Sequence, residues 1–142
     1  MLSENTFVSG SKDIIIWNIN DSSCIKTLKG HTDFVKSFVL STIGSLISGF
    51  QDSTIKVWDI EKGVCTQTLL GHTDVVFSVI LLNDGNLASA SADSTIKIWN
   101  LESGNCIKTL TGHTKSVLSL VIGETGELIS CSTTKQLNFG TY

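Results

Sequence analysis

Histidine, serine and aspartate occur together twice at one spacing, as His31, Ser48 and Asp52 and again as His72, Ser89 and Asp93. That trio is the currency of nucleophilic acyl transfer. Such chemistry needs one exposed nucleophile beside its base and a preformed oxyanion site. Here the same types recur identically from unit to unit, each time followed by a tryptophan, Trp58 or Trp99. Tryptophan donates through its indole N–H and has no nucleophilic role. A recurring polar set with an indole in it reads as a buried rigidifying network and not as a catalytic centre. Four cysteines raise two further chemistries, a disulfide framework or a metal site. No CxxC pair exists, so metal-ligand spacing is missing. Cys24, Cys65 and Cys106 occupy one equivalent position per unit, and they are expected to be buried and to act as small hydrophobes. No cofactor or metal is expected.

The elements that position these residues repeat with them. Gly-His falls at 30–31, 71–72 and 112–113, and tryptophan at Trp17, Trp58 and Trp99, each step being 41 residues. Segments 30–70 and 71–111 agree at about half their positions. A fixed period near 40 residues marks a repeat architecture. Segment 30–70 reads as four strands, FVKSFVL, LISGF, TIKVWDI and VCTQTLL, separated by turns at 42–45, 51–53 and 61–63. Segment 71–111 repeats the plan, with Asn83-Asp84-Gly85-Asn86 as a strong hairpin signal. The β-branched enrichment argues against helices of useful length.

Segment 5–29 is a partial first unit with three strands, and 112–134 a partial last unit with two. Residues 135–142 have no counterpart elsewhere: Thr134 stands where Asp52 and Asp93 stand, and Gly140 where Trp58 and Trp99 stand. All 142 residues form one array, with no linker. There is no proline, which suits continuously paired strands.

Composition narrows the function classes. Hydrophobic residues make up 41% and charged residues 16%, so the chain is globular. A formal net charge of −3 supplies no basic footprint for direct nucleic-acid binding. No apolar run reaches the ~20 residues that span a bilayer. The N-terminus lacks the pattern of a secretory signal, and a cytosolic or nuclear setting is the default expectation.

Gly-His, then a Trp-Asp or Trp-Asn, at this period resembles the WD-repeat family of β-propellers. The resemblance covers residues 5–132 and implies an all-β fold of four-stranded antiparallel blades, here an incomplete ring of about three. It also implies a hydrogen-bonded tetrad in each blade. These are His31, Ser48, Asp52 and Trp58, then His72, Ser89, Asp93 and Trp99. The first unit supplies Ser9 and Trp17, with a shortened turn at Asp13, and the last supplies His113 and Ser130. The histidines then sit in separate blades and cannot converge on one ion.

The resemblance further implies protein contacts on one end of the blades. In this sequence the matching positions are Lys12, Phe34, Lys36, Gln51, Val75, Phe77, Ala92, Ser116, Leu118 and Thr133. Phe34, Val75, Phe77 and Leu118 either mark a binding site or pack between blades. The expected function is a non-catalytic scaffold that presents this surface to peptides or proteins in a multi-subunit complex. The alternative is a piece of a larger WD-repeat regulatory protein of signalling, ubiquitin-ligase or RNA-processing and chromatin assemblies, and a propeller enzyme is a more distant rival. Thirteen strands do not close a ring, which takes at least ~4 four-stranded blades. A second copy could complete the ring, with VLSLVI supplying the inner strand that the first unit lacks.

Overall fold

The computed structural model of the protein describes residues 5–41 and 44–133. Thirteen antiparallel strands are found among them, at the places the turn residues bracket. A three-stranded sheet comprises β1 (Thr6–Gly10), β2 (Ile14–Asn18) and β3 (Cys24–Leu28). A four-stranded sheet follows, β4 (Val35–Leu40), β5 (Ser45–Phe50), β6 (Ile55–Asp59) and β7 (Val64–Leu69). The next is β8 (Val76–Leu81), β9 (Leu87–Ser91), β10 (Ile96–Trp99) and β11 (Cys106–Leu110). Last come β12 (Val117–Ile122) and β13 (Leu128–Ser132). We number these sheets blades 1 to 4. Each is a meander in chain order, so every connection is a short hairpin. At Asn83–Asn86 the Asp84 carboxylate accepts the Asn86 N–H at 3.0 Å, and Gly85 takes φ 83°, a left-handed value that glycine adopts without penalty. Thr42 and Ile43 of the turn expected at 42–45, and Thr134 with the off-pattern 135–142 segment, lie outside the described residues.

The core lies between the blades. Ile14, Ile16 and Leu28 of blade 1 pack on Leu46, Phe50 and Trp58 of blade 2. Ile47, Ile55 and Leu69 meet Val76, Val79 and Trp99 of blade 3. Ala88, Ala90 and Ile96 meet Val117 and Leu120 of blade 4. A strand inside such a stack is covered on both faces, and all five residues of β9 are buried. Close approach depends on a missing side chain: a Cβ on Gly49 would stand 2.8 Å from Val76 Cγ1.

Two details were not foreseen. The serines at Ser37 and Ser78, also 41 residues apart, tie successive inner strands together. Ser37 Oγ accepts the Val79 N–H at 3.2 Å, and Ser78 Oγ accepts the Leu120 N–H at 3.3 Å. The cysteines correct an expectation: all four are exposed free thiols, not buried ones. Cys24 and Cys106 open their outermost strands and Cys65 is the second residue of β7, each opposite a tryptophan beside a register shift. An outermost strand has one neighbour only, so its first residues face water.

Candidate functional site

Blade 3 assembles the full polar network. Trp99 Nε1 donates to Ser89 Oγ at 2.8 Å, and Ser89 Oγ lies 2.7 Å from His72 Nε2. His72 Nδ1 lies 2.7 Å from Asp93 Oδ2. The ionised Asp93 carboxylate only accepts, so Nδ1 of the neutral ring carries the hydrogen given to it, and Nε2 accepts the Ser89 hydroxyl proton. Asp93 Oδ1 also accepts the Thr95 hydroxyl at 2.6 Å and its N–H at 2.9 Å. Burial pushes the Asp93 carboxyl up, but these bonds and that from His72 outweigh it and hold it at about 2. Burial lowers the His72 imidazole against the pull of Asp93, so the ring is neutral near pH 7.

Blade 2 departs from the expected tetrad. Trp58 Nε1 donates to Ser48 Oγ at 2.7 Å, and His31 Nδ1 stands 3.4 Å from Asp52 Oδ2. His31 Nε2, however, is buried without a partner and does not reach Ser48. Phe50 lies face to face with the imidazole. In blade 3 the matching residue is Ser91, whose hydroxyl bonds the Asp74 carbonyl at 2.9 Å and leaves the histidine free to swing in. In blade 2 the four residues form two pairs, Trp58 with Ser48 and His31 with Asp52. Burial lowers the His31 imidazole to about 3.

The end blades hold partial sets. In blade 1 Trp17 Nε1 donates to Ser9 Oγ at 2.8 Å. In blade 4 His113 Nε2 and Ser130 Oγ are 2.8 Å apart. Ser48 and Ser89 are both 0% exposed, whereas a nucleophilic serine stands open beside its base.

The ten expected contact positions gather at one end of the blades, where inner strands begin and the second hairpin of each blade turns. Backbone bonds hold them there: Val35 N–H to Ser11 O at 2.7 Å beside Lys12, Gln51 N–H to Phe34 O at 3.0 Å, Ala92 N–H to Val75 O at 2.9 Å, and Thr133 N–H to Ser116 O at 3.2 Å. Each inner strand has a bulge at the same place, between Val35 and Ser37, Val76 and Ser78, and Val117 and Ser119. The extra residues are Lys36, Phe77 and Leu118. A bulge re-aims the side chain it frees, while Val76 and Val117 on its flank are 0% exposed. Phe34 is 52% and Leu118 39% exposed. Lys12, Lys36 and Thr133 are exposed, and Gln51, Val75, Phe77, Ala92 and Ser116 are half-buried. Interblade packing therefore does not absorb Phe34 or Leu118.

Stacked antiparallel blades of this kind define a β-propeller architecture. The model of the WD domain, G-beta repeat family matches residues 22–59, 63–100 and 104–138, segments that start 41 residues apart. The chain belongs to that family. Among solved structures, the crystal structure of the WD40 β-propeller domain of Doa1 matches with a TM-score of 0.85 and 32% sequence identity. The match covers 93% of this chain and 45% of that one, so the chain spans less than half the length of that relative. Solved chains that match number 1049, a breadth that speaks to architecture and not to one partner. No curated protein matches the chain by sequence.

Proposed function

We propose that the chain is a non-catalytic interaction module that offers the bulged end of its blades to peptide or protein partners within a larger assembly. The carrying observation is the repeated bulge, which places Lys36, Phe77 and Leu118 outside the sheet ladder at the end of the blades where Phe34 is also exposed. Exposed aromatic and aliphatic anchors with a polar surround are what partner binding uses. Lys12, Lys36 and Gln51 supply polar contacts around them. A reducing compartment, cytosolic or nuclear, belongs to the same reading and is supported by four free exposed thiols.

A photo-crosslinking amino acid tests this at two sites. One replaces Phe34; the other replaces Val64, which is 48% exposed at the opposite end of blade 2. Discrete protein adducts are expected from position 34 and not from 64, and they should disappear when Leu118→Asp is added. Equal labelling from both positions would sink the proposal.

A further inference from the structure

At the end of the blades away from the bulges, two hairpin turns are each gripped by a side chain from the blade before. Lys26 of β3 reaches the β6–β7 turn of blade 2, where Nζ donates to the Ile60 carbonyl at 2.9 Å and also to the Glu61 carbonyl. Gln67 of β7, 41 residues on, reaches the β10–β11 turn of blade 3. With its amide set to match its partners, it donates to the Leu101 carbonyl and accepts the Gly104 N–H, both at 3.1 Å. Ile60 and Leu101 are again 41 residues apart. Glycine makes room for each grip: a Cβ on Gly63 would stand 3.1 Å from Lys26 Cδ, and one on Gly104 would strike the Gln67 amide.

The two side chains occupy one place and differ in chemistry. Gln67 is neutral and offers one donor and one acceptor to a turn that presents a carbonyl and an N–H. Lys26 faces two carbonyls, and an ammonium meets both because it carries three N–H donors and a full charge. Joined to an acyl group, the same nitrogen keeps one N–H and no charge, and the added carbonyl brings a further acceptor among acceptors. Lys26 is half-buried and Glu61 exposed, so this corner lies at the molecular surface. The opposite end of the joint has its own hydrogen bond, Val35 N–H to Ser11 O at 2.7 Å. Losing the grip of Lys26 therefore frees one end of the joint while the other still holds.

We propose that Lys26 is a charge-dependent latch on the joint between blades 1 and 2, and that acylation of its amine by an acyl thioester releases it. The amine is reached when the latch opens and one proton passes to water. Its nitrogen then attacks the thioester carbonyl: the N–C bond forms, the C–S bond breaks, and the departing thiolate takes the second proton. The amide product no longer spans both carbonyls, so this corner of the joint stays open. The joint between blades 2 and 3 is unaffected, because Gln67 has no amine. The latch is separate from the bulged end and does not rest on the function proposed for it.

The full chain supplies its own control. β3 and β11 both read CIKTL, so Lys26 and Lys108 have the same neighbours in sequence, but Lys108 is exposed. In brief treatment with N-acetoxysuccinimide, followed by mass spectrometry, Lys26 is expected to react several-fold more slowly than Lys108. Equal rates overturn the proposal. In a second measurement, Nε-acetyl-lysine is installed at position 26 and hydrogen exchange is followed. Exchange of amides in 24–28 and 59–64 should quicken about tenfold, as the loss of a hydrogen bond to a charged group predicts, while 100–105 keeps its rate. Lys26→Arg, which retains the charge and the donors, should exchange close to the unaltered rate. Unchanged exchange in the acetylated chain, equal quickening of 100–105, or an equal loss in Lys26→Arg overturns the proposal. The labelling ratio decides it even if the acetylated chain fails to fold.

Discussion

Ser89 accepts from Trp99 and gives to His72, so its loss strands two polar groups in a buried site. Ser48 has the bond from Trp58, and His31 Nε2 is already unpartnered beside it. Ser89→Ala is therefore expected to cost about 1 kcal/mol more than Ser48→Ala, read from urea unfolding midpoints. Equal costs would mean that the blade 3 network adds nothing to its separate pairs. The histidines also set a pH dependence. Both native imidazoles titrate below the usual 6.5, so the unfolded chain binds the more protons as pH falls. Their contribution to stability is complete above about pH 6.5 and is lost as pH drops toward about 3 for His31. Asp93, held at about 2, loses its contribution only below its usual 3.8. The unfolding midpoint should thus be flat near pH 7–8 and fall from about pH 6.5 downward, with His31→Asn flattening part of the fall. The types and places of these residues were legible in the sequence, because the period exposes them. The missing bond from His31 Nε2 to Ser48 was not, since the motif residues are the same in both blades.

At the scale of strands and sheets, glycine at position 49 sets how closely blades 2 and 3 approach. A methyl there meets Val76 Cγ1 at 2.8 Å and Val79 Cγ1 at 3.1 Å. Gly49→Ala is expected to destabilise by about 1–3 kcal/mol through overpacking, with Val76→Ala recovering part of the loss in a double-mutant cycle. Additive effects would show that the valine is not what the methyl strikes. The strands themselves were readable from β-branched runs between turn residues, though β5 begins at Ser45, inside the turn expected at 42–45. The bulges at Lys36, Phe77 and Leu118 were not, because a bulge is a mismatch between two strands and exists only once their register is set. The exposed cysteines were misjudged for a related reason. A short apolar strand looks alike in sequence whether it lies inside a sheet or on its outer edge.

Across the whole molecule, the two faces that end the arc differ from the faces inside it. Phe38 is 38% and Leu40 45% exposed toward blade 1, which lacks an inner strand, whereas the matching Val79 is 2% exposed. On blade 4, Val121 is 53% and Ile129 52% exposed. Apolar faces of this kind with a net charge of only −3 invite association. Light scattering on the chain is expected to give a mass that rises above 15.3 kDa with concentration, and Val121→Lys with Ile129→Glu should bring it down. A constant monomer mass would show that these faces do not associate. A head-to-tail ring in which VLSLVI completes a neighbour's first blade meets an obstacle in the structure. The β12 edge that would receive the neighbour's β1 already pairs with β13, Leu120 opposite Ser130, as β4 pairs with β5 in blade 2.

The amino-acid sequence alone determined the repeat, the strand order, the family likeness and which residue types form the polar network, because these depend on local chemistry and a period that survives in one dimension. The tertiary structure alone decided which networks close and which rim residues are turned outward. Those outcomes depend on the packing of side chains that the repeat does not record, as where Val76 and Val79 close on Gly49 between blades 2 and 3.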